Sequence, residues 1–285
     1  MPLRTYVLVL VAALAASPAA PLTVLSGSVR APDGVEIHYE AAGNGQPAVV
    51  FVHGWSCNRA YWKGQFAHFA KNRRIVAIDL AGHGASGLGR KNYTMRAFGG
   101  DVKAVVDALA LRRVVLVGHS MGGPVALEAA RLLPGRVVAI VGIDTLGQVE
   151  NQSSAEQERA LLDSMRADFR AATRKFVLDF MFTPKSDPAL AERVAQEMAE
   201  APREVAISAL ENLFAYDEAK ALAATRVPLR LINGDRFPTD LAALRKHKRD
   251  VQLAVMEGRG HFLMLEDPAE LNRLLADALK GLASR

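Results

Sequence analysis

The chain alternates between short, unbroken apolar runs and longer amphipathic stretches. The apolar runs fall at 48–52, 75–78, 114–117, 137–143 and 229–232. Runs of this length without polar interruption suit strands covered on both faces, as in a parallel sheet between helical layers. Residues 34–42 read as a further strand that leaves a turn at Pro32-Asp33-Gly34. Helical periodicity occupies the stretches between: 59–71, 95–109, 121–133, 239–246 and 268–282. Strand alternating with helix predicts an α/β fold with a mostly parallel sheet flanked by helices. No internal repeat and no low-complexity segment interrupts it.

One region departs from the alternation. Residues 145–222 contain no strand-like run, only amphipathic segments separated by Pro184, Pro188 and Pro202. A structureless loop of that length would be improbable, so the segment predicts a helical cap inserted between two sheet strands. Ligands of such sheets bind at the carboxyl ends of the strands, which is where a cap would sit. The expected organisation is a core from 22–144 and 223–285, with the cap at 145–222.

The first residues read as a targeting segment rather than as fold. Arg4 precedes an apolar run at 6–16, and the small residues Ser17, Pro18, Ala19 and Ala20 follow. This order is that of a secretory signal peptide, placed at 1–20. The run is shorter than the roughly 20 residues a membrane span needs. The expectation is an exported protein, periplasmic or secreted, with no stable membrane association.

Composition narrows the function classes. Half of the 285 residues are apolar and 23% are charged, which excludes a disordered chain. A single cysteine, Cys57, excludes an intramolecular disulfide and a Cys-cluster metal site. The net charge of +5 raises the question of nucleic acid, and its distribution answers it. The cap carries nine basic and fourteen acidic residues, a balance of −5. Removing Arg4 with the leader leaves the mature chain near +4, hence about +9 outside the cap. The densest basic cluster, Arg245-Lys246-His247-Lys248-Arg249, has no interleaved aromatic residues for stacking on bases. The expected partner is a small-molecule substrate and not a nucleic acid.

The strongest chemical signal is Gly118-His119-Ser120-Met121-Gly122, directly after the run at 114–117 and directly before a helix. A strand that turns sharply into a helix needs small residues two places either side of the serine. Such a turn exposes the serine, and the helix N-terminus adds backbone donors beside it. Three further motifs follow the other strands. His53-Gly54-Trp55 comes after the run at 48–52. Asp79-Leu80-Ala81-Gly82-His83-Gly84-Ala85-Ser86 comes after 75–78, and Gly258-Arg259-Gly260-His261-Phe262 lies late in the chain.

With these motifs in this order, the chain resembles the α/β-hydrolase family over nearly all of its mature length. Ala81 stands where the family's DxPGHGxS loop usually has proline. The resemblance implies Ser120 as nucleophile and His261 as general base and then acid. It implies the backbone N–H groups of Met121 and Trp55 as the oxyanion hole. His53 reads as fixing the oxyanion loop, and with Gly54, Phe237 and Phe262 as bordering the substrate pocket. His83 reads as structural, and His119 as pointing to the opposite side of the elbow from the catalytic groups. No histidine pair has metal-ligand spacing, so neither metal nor cofactor is expected.

The triad acid is open in the sequence. Most of the family places it three residues after a glycine that ends the strand at 229–232, and here that position is Phe237. A minority, including many haloalkane dehalogenases, places it after the preceding strand. Their later loop also resembles Ile232-Asn233-Gly234-Asp235. Asp144 is therefore the favoured acid, with Asp235 the alternative and Asp240 behind both. A serine nucleophile argues against dehalogenation and epoxide hydrolysis, which use an aspartate there. The leading expectation is a secreted serine hydrolase of the carboxylesterase type, acting on small, moderately apolar esters or lactones. A carbon–carbon bond hydrolase or perhydrolase is the enzymatic alternative, and a ligand-binding protein on the same fold is the alternative of another class. The apolar cap residues Phe169, Phe176, Phe180, Met181, Phe182, Leu210, Leu213, Phe214 and Tyr216 suggest an uncharged, medium-sized substrate group.

Overall fold

The computed structural model describes residues 22–150 and 153–282. The leader read at 1–20 lies outside the described residues. The first four strands are β1 (Val24–Arg30), β2 (Glu36–Ala42), β3 (Ala48–Val52) and β4 (Ile75–Ile78). The others are β5 (Val114–His119), β6 (Val137–Ile143), β7 (Leu229–Gly234) and β8 (Gln252–Met256). They form one eight-stranded sheet in the order β1-β2-β4-β3-β5-β6-β7-β8. The β1–β2 and β2–β4 pairs are antiparallel, and every pair from β4 through β8 is parallel.

The core strands are where the apolar runs predicted them. Every residue of β3, β4 and β5 is buried, which explains why these strands carry no polar alternation. The two edge strands were not anticipated. β1 is largely exposed along its length, and β8 is buried only at Met256, so neither presents an apolar run.

Helices α1 (Lys63–Phe69), α2 (Met95–Ala108) and α3 (Gly122–Leu132) belong to the core. The stretch predicted as one helix at 59–71 is a 3-10 turn over Arg59–Trp62 followed by α1. Between β6 and β7 lie α4 (Ala155–Ala167), α5 (Phe169–Phe176), α6 (Pro188–Ala199), α7 (Arg203–Phe214) and α8 (Glu218–Ala224). A π-helical turn, Val177–Met181, extends α5. Helix α8 runs two residues past the expected cap end at 222. The chain closes with α9 (Leu241–His247), α10 (Leu263–Glu266) and α11 (Pro268–Leu279). Helices α2 and α3 pack together as one layer against the sheet, and α1 and α11 as another.

The cap helices start where side chains can accept their free N–H groups. Ser154 and Gln157 form a reciprocal capping box at α4. Asp168 both ends α4 and caps α5, while Asp187 with Pro188 opens α6. Several hydrogen bonds tie the cap to the core, among them His261 N–H to Met181 O at 2.7 Å and the Ser186 hydroxyl to Glu266 Oε2 at 2.7 Å. Trp55 Nε1 donates to Ala206 O at 2.7 Å, and the Tyr216 hydroxyl donates to Glu128 Oε1 at 3.0 Å. No helix among the described residues is long and apolar enough to cross a membrane.

Candidate active site

Parallel pairing brings three strand ends to one edge in register. His119 pairs with Ile143, and Ile143 with Ile232. The ladder continues one step beyond the strands. Ser120 N–H donates to Ile143 O at 3.1 Å, and Asp144 N–H donates to Ile232 O at 3.0 Å. Ser120 and Asp144 are thus adjacent by backbone pairing, before any side chain is considered.

Both residues occupy left-handed backbone, with φ of 52° at Ser120 and 45° at Asp144. This conformation is unfavourable for residues with a Cβ and concentrates at functional sites. The elbow tolerates it because its glycines let the chain pack on itself. A Cβ at Gly118 would meet Gly122 O at 2.1 Å, and one at Gly122 would meet Val52 O at 2.5 Å. The Thr145 hydroxyl donates to Ser120 O at 2.7 Å and holds the turn from the neighbouring loop.

The two candidate acids part company here. Asp144 Oδ2 accepts the Nδ1 proton of His261 at 2.5 Å, and its Oδ1 accepts Gly234 N–H at 2.8 Å. Asp235 turns away, with both oxygens taken by Gly258 N–H at 2.8 and 2.9 Å. Asp240 is spent as the cap of α9, accepting Ala243 N–H at 2.9 Å. The loop after β6 is clamped by Asn233, which accepts Thr145 N–H at 3.2 Å and donates to Thr145 O at 3.1 Å. The sequence reading gave Asn233 and Thr145 no role. The Ile232-Asn233 resemblance was the available signal for the first.

The histidines sort by burial. His53 donates from Nδ1 to Gly54 O at 2.8 Å and accepts Leu80 N–H on Nε2 at 3.0 Å. Burial pushes its pKa down to about 4, so it is neutral scaffolding. His83 is likewise lowered, to about 3, by burial and by His53 beside it. His119 is a correction. It does not face away from the catalytic groups but packs under His261, ring centroids 4.7 Å apart. Its Nε2 donates to His261 O at 2.9 Å, and burial holds its pKa well below the usual histidine range. The Cys57 thiol donates to Trp55 O at 3.3 Å, and burial pushes its pKa up.

Ser120, Asp144 and His261 open into a cavity of about 820 Å³ between the sheet edge and the cap. Phe176, Phe180, Met181, Leu210, Leu213 and Phe214 supply its cap wall, with Trp55 and Phe237 on the core side. Of the four expected pocket residues, only Phe237 lines it. His53 is consumed in its loop. Gly54 lies behind Ser120, where a Cβ would meet His119 Nδ1 at 2.9 Å and Ser120 Cβ at 3.1 Å. Phe262 is fully buried against His261, His119 and Phe182. Phe169 and Phe182 are also buried as packing rather than exposed to the cavity, and Tyr216 faces Glu128. The backbone N–H groups of Met121 and Trp55 find no protein acceptor among the described residues. No group of three or more His, Cys, Asp or Glu positioned for a metal ion occurs among the described residues.

A serine on a strand–helix elbow and a hydrogen-bonded histidine–aspartate pair line one cavity under a helical cap, an arrangement of the capped α/β class. Residues 49–274 match the Alpha/beta hydrolase family, and the chain belongs to that family and is a hydrolase. It is 27% identical over 255 residues to 3-oxoadipate enol-lactonase 2 of Acinetobacter baylyi, covering 86% of this chain and 94% of that one. It is 36% identical over 160 residues to a non-heme chloroperoxidase of Streptomyces lividans, covering 54% of this chain and 58% of the relative. A solved N-acyl homoserine lactone degrading enzyme superposes with a TM-score of 0.77 at 26% identity, covering 88% of this chain and 99% of that one.

Proposed function

We propose that the protein is a serine hydrolase that cleaves small, moderately apolar esters or lactones through an acyl-enzyme. The observation that carries this reading is the 2.5 Å contact of Asp144 with His261, in the cavity that Ser120 also lines. Ser120 attacks the carbonyl carbon while His261 takes the hydroxyl proton on Nε2. Asp144 holds the imidazole in the tautomer with Nδ1 protonated and stabilises the imidazolium that forms. The N–H groups of Met121 and Trp55, free of protein acceptors among the described residues, receive the developing oxyanion. His261 then returns the proton to the leaving alcohol, and water repeats the sequence to release the acid.

Esters and lactones fit the apolar cap wall, and a lactonase and an N-acyl homoserine lactone degrading enzyme among the similar proteins support that class. The leader-like order of Arg4, the apolar run at 6–16 and the small residues after it supports action outside the cytoplasm. The test is a series of p-nitrophenyl esters of increasing acyl length on wild type and Ser120→Ala. Hydrolysis by wild type that Ser120→Ala abolishes is expected, together with labelling of Ser120 by a fluorophosphonate. Equal rates for the two proteins on every ester would reject the reading.

A further inference from the structure

The charged side chains that line the cavity are all of one sign. Asp144, Glu158 and Glu218 face it, and no Lys or Arg is among its described lining residues. A recess of about 230 Å³ beside Ser120 and Met121 is bordered by the same Glu158 and Glu218. Asp144 is engaged by His261 and Gly234. Glu158, on α4, accepts the Ser153 hydroxyl on Oε1 at 2.9 Å. The Glu218 side chain has neither hydrogen bond nor ion pair among the described residues.

Capping does not call for Glu218. It is the first residue of α8, but Asp217 already caps that helix by accepting Lys220 N–H at 2.9 Å. Burial alone pushes the Glu218 carboxyl up to about 7. A carboxylate withdrawn from water without a partner is costly, and a cation arriving beside it would remove much of that cost. Met121, Pro124, Leu213 and Phe214 border the recess, and the partial withdrawal of the carboxylate from water leaves the attraction less screened than at an open surface.

We propose that Glu218 and Glu158 form a cation subsite that favours esters carrying an ammonium group and rejects those carrying a carboxylate. The inference rests on the serine-hydrolase reading and adds a substrate class to it. The ammonium lies in the recess, and the ester carbonyl reaches Ser120, which borders the same recess. A substrate carboxylate there meets Glu158 and, above about pH 7, a fully ionised Glu218, with no counter-ion among the lining residues.

Three thioesters of matched shape test this, with the released thiol titrated by a disulfide reagent. They are acetylthiocholine, its uncharged isostere 3,3-dimethylbutyl thioacetate, and the anion S-acetyl-3-mercaptopropionate. The expected order of kcat/KM is cation, neutral, anion, with about tenfold between successive members. In Glu218→Gln and Glu158→Gln the cation-to-neutral ratio should fall several-fold, the larger fall belonging to Glu218→Gln. A neutral isostere cleaved as well as the cation by wild type would overturn the subsite, and that comparison needs no variant to fold. A ratio unchanged in both variants would overturn it as well. Cleavage of the neutral thioester that survives Ser120→Ala would reject the hydrolase reading instead. Failure of wild type to cleave any of the three would count against both.

Discussion

Asp144 Oδ2 accepts the Nδ1 proton of His261 at 2.5 Å, across 117 residues of sequence. The same carboxylate accepts Gly234 N–H on its other oxygen, so its orientation is fixed from two sides. Asp144→Asn keeps the shape but replaces an acceptor by an amide, which disfavours the required imidazole tautomer. Turnover of a p-nitrophenyl ester should fall by about 10³–10⁴-fold. Asp235 supports only the turn at Gly258, so Asp235→Asn should stay within about tenfold of wild type, the ordinary range for a substitution that leaves the triad in place. The opposite ranking would move the acid to the later strand.

Two glycine-to-alanine changes should have opposite signs. At Gly118 the new Cβ would lie 2.1 Å from Gly122 O and 2.4 Å from its carbonyl carbon. Both atoms are backbone, so relief requires the elbow itself to move. Gly118→Ala should cost about 3 kcal/mol or more, or prevent folding. Gly64, exposed on α1, would place a Cβ at 3.5 Å from Pro268 Cβ, an ordinary contact. Gly64→Ala should stabilise by about 0.5–1 kcal/mol through helix propensity. Urea unfolding of the pair measures both, and equal effects would refute the argument.

Trp55 joins the loop after β3 to the cap through its 2.7 Å bond to Ala206 O, and it is only 4% exposed. Trp55→Phe leaves that carbonyl without its donor. The expected loss is about 1–3 kcal/mol. Because the indole also lines the cavity, KM should rise more than kcat falls. A variant with wild-type stability and KM would show that this bond adds nothing to the hold of the cap.

How much of this was legible in the sequence follows from burial. Strands sealed on both faces, such as β3 and β5, are written as unbroken apolar residues and were readable to within two residues. The edge strands β1 and β8 pair through backbone while their side chains meet solvent, so no pattern marks them. The elbow at Ser120 was legible because a strand–helix turn demands small neighbours, whereas His261 and Asp144 came from the family resemblance, and the structure brings those two into contact. Asp144 could only be ranked above Asp235, because choosing between adjacent strand ends needs the rotamer and the loop path. Pocket lining was the least legible part. Phe262 and Phe176 look alike in sequence, yet one packs beneath His261 and the other faces the cavity. Glu158 and Glu218 belong to helices whose placement over the cleft depends on cap packing, and nothing in their local sequence distinguishes them from solvated acids.

The buried Glu218 carboxyl also predicts a pH-dependent stability with a definite sign. Its ordinary value is 4.5, and burial raises it to about 7 in the folded protein. Below about pH 4.5 the group is protonated in both folded and unfolded chains and contributes no difference. Between these values the folded state retains a proton that the unfolded state has released. The folded protein is therefore destabilised progressively as pH rises through the window, and the penalty is complete above about 7. Glu218→Gln removes the titration and keeps the size of the side chain. Its stability relative to wild type should rise from near zero at pH 4.5 to about 1–3 kcal/mol at pH 8, the range that a shift of this size and partial exposure supports. The other titratable groups facing Glu218 are Glu158, Asp144 and His261 across the cavity and Tyr216 on its own segment. All are common to both proteins, so their own titrations largely cancel in the comparison. Urea unfolding of the two proteins at pH 5 and pH 8 makes the measurement. A difference independent of pH would mean that Glu218 ionises as a solvated carboxylate, with no unpaired charge held at the cavity wall.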